Sequence, residues 1–124
     1  MRRVLICSGK VFFDLYEYRE KHGINNVAII RCEQISPFPY IQVKEELERY
    51  PNAEVCWVQE EHRNAGAWRF MKSRLGYLLS DINRGGLTYR GRNVSGSPAT
   101  GSLNVHNREL EKMLVESFDD DRAK

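Results

Sequence analysis

The sequence predicts an α/β domain, a three-layer sandwich in which a mostly parallel sheet lies between helices on both faces. Three observations carry this. Four short strand-like runs, at residues 4–7, 27–31, 54–59 and 87–90, are each followed by a helix-period pattern. The first three contain continuous apolar stretches (VLIC, VAII, VCWV) rather than an apolar–polar alternation, as in strands buried on both faces. Glycine and proline fall between the runs, where turns are needed. Crossovers joining parallel strands should all be right-handed.

In order, residues 4–7 form the first strand and Ser8-Gly9-Lys10 a tight turn. Val11, Leu15 and Tyr18 then recur at i, i+4 and i+7, with Phe12 and Tyr16 widening the apolar stripe of a helix. Asp14 near its start and Lys21-His22 near its end suit the helix dipole, and Gly23 is a left-handed stop. After the strand at 27–31, Pro37 and Pro39 bar helix in the connection from Glu33. Val43, Leu47 and Tyr50 mark a helix that ends at Pro51, with Glu45 and Arg49 as an i, i+4 pair on its solvated face. The third strand, 54–59, gives way to a polar connection, Gln59–Asn64. From Ala65 the spacing of Trp68, Met71, Leu75 and Leu78 predicts a core-facing helix to about Ser80. Gly85-Gly86 breaks the chain before the fourth strand, and 91–102 reads as a Gly/Ser/Pro/Asn-rich loop. A last helix from about Asn104 carries Leu110, Met113, Leu114 and Phe118. Residues 1–118 are therefore expected to form one domain, with 119–124 an acidic, disordered tail.

Composition narrows the function. A length of 124 residues supports one core. A net charge of +2 with no Lys/Arg block argues against nucleic acid as partner, and no apolar run approaches the length of a membrane span. Cys7, Cys32 and Cys56 are odd in number and match no metal spacing, so they read as reduced packing thiols in a reducing compartment.

Two stretches could carry chemistry. Ser8-Gly9-Lys10, between a strand and a helix N-terminus, is a sensible anion site, although it is neither a Walker A loop nor G-x-G-x-x-G; a plain turn is the simpler reading. Gln59, Glu60, Glu61, His62 and Arg63 cluster at the carboxyl end of a strand, where open α/β sheets place ligands. Adjacent residues on a loop seldom converge on one target, and His22 and His106 lack metal-ligand companions. Ser8, Ser36, Ser97 and Thr100 lie in no nucleophile elbow, and the first strand lacks the acidic end of a receiver domain. No complete catalytic constellation is present.

The stretches VLICSGKVFFD (4–14), VAIIRCEQISPFPY (27–40), YPNAEVCWVQEEHRNAGAW (50–68) and YRGRNVSGSPATG (89–101) closely resemble the C-terminal domain of 2-oxoglutarate dehydrogenases, and residues 106–118 extend the match. The resemblance implies a transketolase C-terminal-like domain, the last of three in a thiamine-diphosphate-dependent enzyme that decarboxylates 2-oxoglutarate and succinylates lipoyl groups in the tricarboxylic acid cycle. It implies that thiamine diphosphate and Mg²⁺ are held by the preceding domains, with no cofactor, metal or catalytic residue here, and that the isolated chain is inactive. The Met1 start just before the first strand suits a piece of a longer chain, whose sheet has a further edge strand. The family order places strand 4–7 between strands 27–31 and 54–59. That puts Ser8, Gly9 and Lys10 beside Gln59, Glu60, Glu61 and His62 at one crevice.

The implied partners are the other domains of the subunit, the homodimer partner and the dihydrolipoyl succinyltransferase component. Some family members bind acetyl-CoA or a nucleotide effector against this domain, and Lys10, Arg31, Arg90 and Arg92 are the cations expected to meet it. The compartment would be the mitochondrial matrix in a eukaryote and the cytoplasm in a bacterium. Competing readings are a 2-oxoadipate dehydrogenase paralogue, its pyruvate or branched-chain relatives, and a standalone module for a phosphorylated ligand.

Overall fold

Alternating side chains on four parallel strands build two separate cores. The computed structural model describes residues 1–33, 37–63, 65–92 and 103–118, with only the backbone described for His62, Arg92 and 103–107. The elements run β1 (Arg3–Cys7), α1 (Val11–Lys21), β2 (Val27–Arg31), α2 (Tyr40–Glu48), β3 (Glu54–His62), α3 (Trp68–Asp81), β4 (Thr88–Arg92) and α4 (Leu103–Phe118). The sheet order is β2-β1-β3-β4, and every pairing is parallel. The three-layer α/β/α expectation holds, as does the placing of the first strand between the second and third.

Leu5, Cys7, Cys56 and Val58 point to one face, where Val11, Leu15 and Tyr18 of α1 and Met113 and Phe118 of α4 cover them. Val4, Ile6, Val55 and Trp57 point to the other, beneath Val43 and Leu47 of α2 and Met71, Leu75 and Leu78 of α3. The step from β1 to β2 runs one way with α1 on one face. The steps to β3 and β4 run the other way with α2 and α3 on the opposite face, as crossovers of a single hand require. Each fully buried leucine contributes roughly 2–3 kcal/mol. Leu75→Ala, at a site with no exposure, would cost about 2–5 kcal/mol.

Helix α1 ends at the expected glycine: Gly23 has φ 61°. The Ile24 N–H donates to Arg19 O (3.0 Å) and the Gly23 N–H to Glu20 O (3.3 Å), closing the last turn. Helix α2 ends against Arg84, whose guanidinium donates to Leu47 O (2.9 Å) and Ala53 O (2.6 Å). At the amino end of the sheet Arg3, only 4% exposed, donates to Glu54 Oε2 (2.7 and 3.2 Å) and to Ser117 O (2.9 Å). Arg2 donates to Phe118 O. Cations thus meet the unsatisfied carbonyls that close α4, where the helix dipole favours them.

Four expectations need correction. Strand β3 does not stop at Gln59 but continues to His62, through a register shift between those residues. Glu60 and Glu61 are therefore strand residues within the irregularity, flanked by the pairs Gln59–Gly91 and His62–Arg92, despite their poor strand propensity. Gly91 and Arg92 belong to β4 rather than to the loop after it. A Cβ at Gly91 would lie 2.6 Å from Gln59 O, so this glycine marks a close approach of two strands and not a break. Helix α3 starts at Trp68 rather than Ala65. Arg49 pairs with Glu46 (3.6 Å) and not with Glu45. The expected 119–124 tail, the stretch 93–102 of the expected loop, residues 34–36 of the Glu33–Pro39 connection, Asn64 and the side chain of His106 lie outside the described residues.

Candidate functional site

The crevice forms where the topology reverses. Strand β1 continues into α1 on one face, and its neighbour β3 continues toward α3 on the other, so their carboxyl ends part. Between them lies a cleft of about 390 Å³ lined by Ser8, Gly9, Lys10, Val11, Glu60 and Glu61. Two stretches distant in sequence thus share one surface, as expected.

Gln59 holds the rim from below. Its side chain is 3% exposed; Oε1 accepts the Trp57 indole N–H (2.9 Å) and Nε2 donates to Ala65 O (2.8 Å). The returning chain passes so close that a Cβ at Gly66, where φ is 67°, would lie 3.2–3.3 Å from the Gln59 amide. Glycine answers both demands there, a left-handed backbone and an empty side-chain volume. Trp68 then packs against Tyr89 (ring centroids 5.1 Å apart), with Arg63 over the outer side of the system, 5.3 Å from the Tyr89 centroid.

The electrostatics differ from those of an anion site. Lys10 Nζ lies 3.8 Å from Glu60 Oε1 at an exposed position, so the cleft presents two carboxylates and one ammonium. The Phe12 and Phe13 N–H groups already donate to Gly9 O (3.3 Å) and Lys10 O (3.0 Å). The other cations lie apart. Arg31 pairs with Glu33 and lies over Phe12 and Phe13. Arg90 reaches back to Glu54 (3.8 Å), at the opposite end of β3. His62 and Arg92 are backbone neighbours in the β3–β4 ladder, and their side chains lie outside the described residues. The structure therefore brings together Ser8, Gly9, Lys10, Glu60 and Glu61 over Gln59, and separates Arg31 and Arg90 from them.

This donor set does not fit thiamine diphosphate with Mg²⁺. Paired carboxylates oppose a diphosphate, and among the described residues no group of three or more His, Cys, Asp or Glu side chains could hold a metal ion. Cys7, Cys32 and Cys56 are buried thiols outside any disulfide, and burial pushes the Cys7 thiol up to about 12, the reverse of a reactive cysteine. Among the described residues no helix is long and apolar enough to cross a membrane. Sequence reasoning missed the Gln59 network and the arginines stacked on aromatic rings. A lone Gln ending an apolar strand was the only signal for the first.

Comparison with known proteins fits this architecture. A solved structure titled as a split-gene transketolase, an inactive β4 tetramer, superposes over 95% of this chain and 39% of its own, with TM-score 0.62 and 14% identity, a likeness of fold. The mitochondrial 2-oxoglutarate dehydrogenase of Caenorhabditis elegans is 44% identical over 119 residues, 95% of this chain and 12% of that protein. The 2-oxoglutarate dehydrogenase E1 component of Brucella anthropi is 44% identical over 120 residues, again 95% and 12%. A probable 2-oxoadipate dehydrogenase complex component E1 homologue of Dictyostelium discoideum is 42% identical over 119 residues, 95% and 13%. The chain thus spans about one-eighth of the length of these relatives. The family model described as 2-oxoglutarate dehydrogenase C-terminal matches residues 1–118, and the chain belongs to that family.

Proposed function

We propose that this chain is the C-terminal domain of a thiamine-diphosphate-dependent 2-oxoglutarate dehydrogenase, and that within it the domain serves contacts rather than chemistry. The family match over residues 1–118 carries this reading. In the proposed enzyme, thiamine diphosphate supplies the decarboxylation and is held by other domains. The residues here shape a crevice rim that faces another domain or the second subunit, and the dihydrolipoyl succinyltransferase component receives the product. Mixed charge at the rim, Lys10 against Glu60 beside Glu61, suits an orienting contact.

The sheet edge supports the same reading. The Cys32 N–H donates to Cys7 O (2.7 Å) and the Arg2 N–H to Asn26 O (2.9 Å), so by alternation the peptide groups of Val27, Ile29 and Arg31 face away from β1. Arg19 covers Val27 O (3.2 Å). Those of Ile29 and Arg31 border a groove of about 440 Å³ beside Pro39 and Val43, with no described strand paired there. An exposed edge of this kind is a template for a further strand.

The test compares the 124-residue chain with the full-length polypeptide that carries it. The full-length protein should release CO₂ from 2-oxoglutarate when given thiamine diphosphate and Mg²⁺, and the isolated chain should neither release it nor bind the cofactor. Turnover by the isolated chain, or none by the full-length protein, overturns the reading. A 2-oxoadipate substrate is the second reading, favoured by the Dictyostelium relative at nearly equal identity; turnover of 2-oxoadipate in preference to 2-oxoglutarate would select it. An acetyl-CoA or nucleotide effector would have to draw Lys10 away from Glu60. Equal affinity in the Lys10→Ala protein places any such site elsewhere. A soluble module acting alone would instead show thermal stabilisation of the isolated chain by nucleotides or CoA esters.

A further inference from the structure

The start of α1 carries a second surface, continuous with the crevice through Lys10 and Val11. Phe13 and Tyr16 are 57% and 46% exposed, and Phe12 lies between them, edge-on to Phe13 (centroids 5.5 Å apart) and stacked on Tyr16 (6.1 Å). Arg31 lies over both phenylalanine rings, at 5.3 and 4.8 Å, and Arg19 over Tyr16 at 5.3 Å. Each arginine has a carboxylate beside it, Glu33 for Arg31 and Glu20 for Arg19 (3.7 Å), so the patch is aromatic and nearly neutral. Exposed aromatic rings interleaved with arginine are the composition of interface hot spots.

The geometry points to this α1–β2 aromatic patch as the docking face for another domain of the same polypeptide, an inference that rests on the function proposed above. Size selects the occupant. The rings of Phe13 and Tyr16 leave on the order of 200 Å² uncovered, and with their arginines the patch falls well short of the ~800 Å² per partner of a stable free dimer. A neighbour in the same chain needs far less, because tethering supplies a high effective concentration. The relatives offer such neighbours, since this domain is about one-eighth of their length. Flat aromatic rings held by arginine lose little side-chain freedom on docking, which suits a small tethered contact.

Hydroxyl-radical footprinting tests this on the isolated chain and the full-length polypeptide, with Tyr77, 70% exposed on α3, as internal reference. Phe13 and Tyr16 should label readily in the isolated chain at any concentration and be protected several-fold in the full-length protein, while Tyr77 labels in both. Phe13→Ser with Tyr16→Ser should leave the melting temperature of the isolated chain nearly unchanged. In the full-length protein the same pair should raise the labelling of a segment outside this domain, which Tyr77→Ser should not do. Equal labelling of Phe13 in the two proteins overturns the proposal. So does protection that grows with the concentration of the isolated chain, which would make the occupant a second copy. Decarboxylation is read separately: an active full-length enzyme with Phe13 unprotected removes this surface alone, and an inactive one removes the functional reading while the footprint still decides the contact.

Discussion

Replacing Gln59 by leucine removes one buried amide of nearly equal volume and isolates what it does. The change strips the acceptor from the Trp57 indole N–H, on a side chain 1% exposed, and the donor from Ala65 O. A buried donor left without a partner costs about 1–3 kcal/mol, and a lost bond to a carbonyl that can turn to water costs about 1 kcal/mol. The expected loss is about 2–4 kcal/mol, or about 8–16 °C in melting temperature for a domain of this size. Urea unfolding followed by circular dichroism should show a lower midpoint with an unchanged slope. The decisive comparison is the same substitution in a Trp57→Phe background, where no indole N–H remains to be orphaned. There Gln59→Leu should cost about 1–2 kcal/mol less. Equal costs in the two backgrounds would refute the hydrogen-bond account and leave only packing.

Other outcomes follow from the same structure. Gly66→Ala should destabilise by about 1–3 kcal/mol through its left-handed backbone and the contact with Gln59, and by less when Gln59 is already alanine, measured by the same unfolding assay. Arg3→Met should cost about 2–4 kcal/mol, discounted because Glu54 is 37% exposed, with hydrogen exchange rising first at the carboxyl end of α4. Burial raises the folded Cys7 thiol from 9.0 to about 12, so it stays protonated in the native state after the unfolded chain has begun to ionise. Its contribution is complete below pH 9 and lost as pH climbs toward about 12; thermal melts between pH 8 and 11 should decline, and less steeply in Cys7→Ala. Gly91→Ala should force β3 and β4 apart, visible as loss of amide protection at Gln59 and Tyr89.

The layers of this fold were legible because apolar continuity and helical spacing are local signals. Val4–Cys7 needs a sheet neighbour on each side, and the pattern of Trp68, Met71, Leu75 and Leu78 needs one helix face. What stayed hidden depends on partners distant in sequence. Glu60 and Glu61 read as loop because isolated carboxylates disfavour strand, yet the ladder with β4 resumes beyond them at His62. Gly91 read as the start of a loop because its meaning lies in Gln59 O, a contact that sequence alone does not reveal. The crevice followed from strand order, but its sign did not. Lys10 suggested an anion until Glu60 was found 3.8 Å away.

The division of helices between the two faces also orders events in time. The face covered by α2 and α3 has both of its helices once the chain has reached the end of α3 at Asp81. The face covered by α1 and α4 needs Met113 and Phe118, and the guanidinium of Arg3 bonds across 114 positions to Ser117. As the domain is synthesised, Leu5, Cys56 and Val58 therefore wait, covered by α1 alone, for its final helix. Until Phe118 is in place, that half of the interior has only one of its two helices, the state in which a chaperone, or a second unfinished chain, would find it.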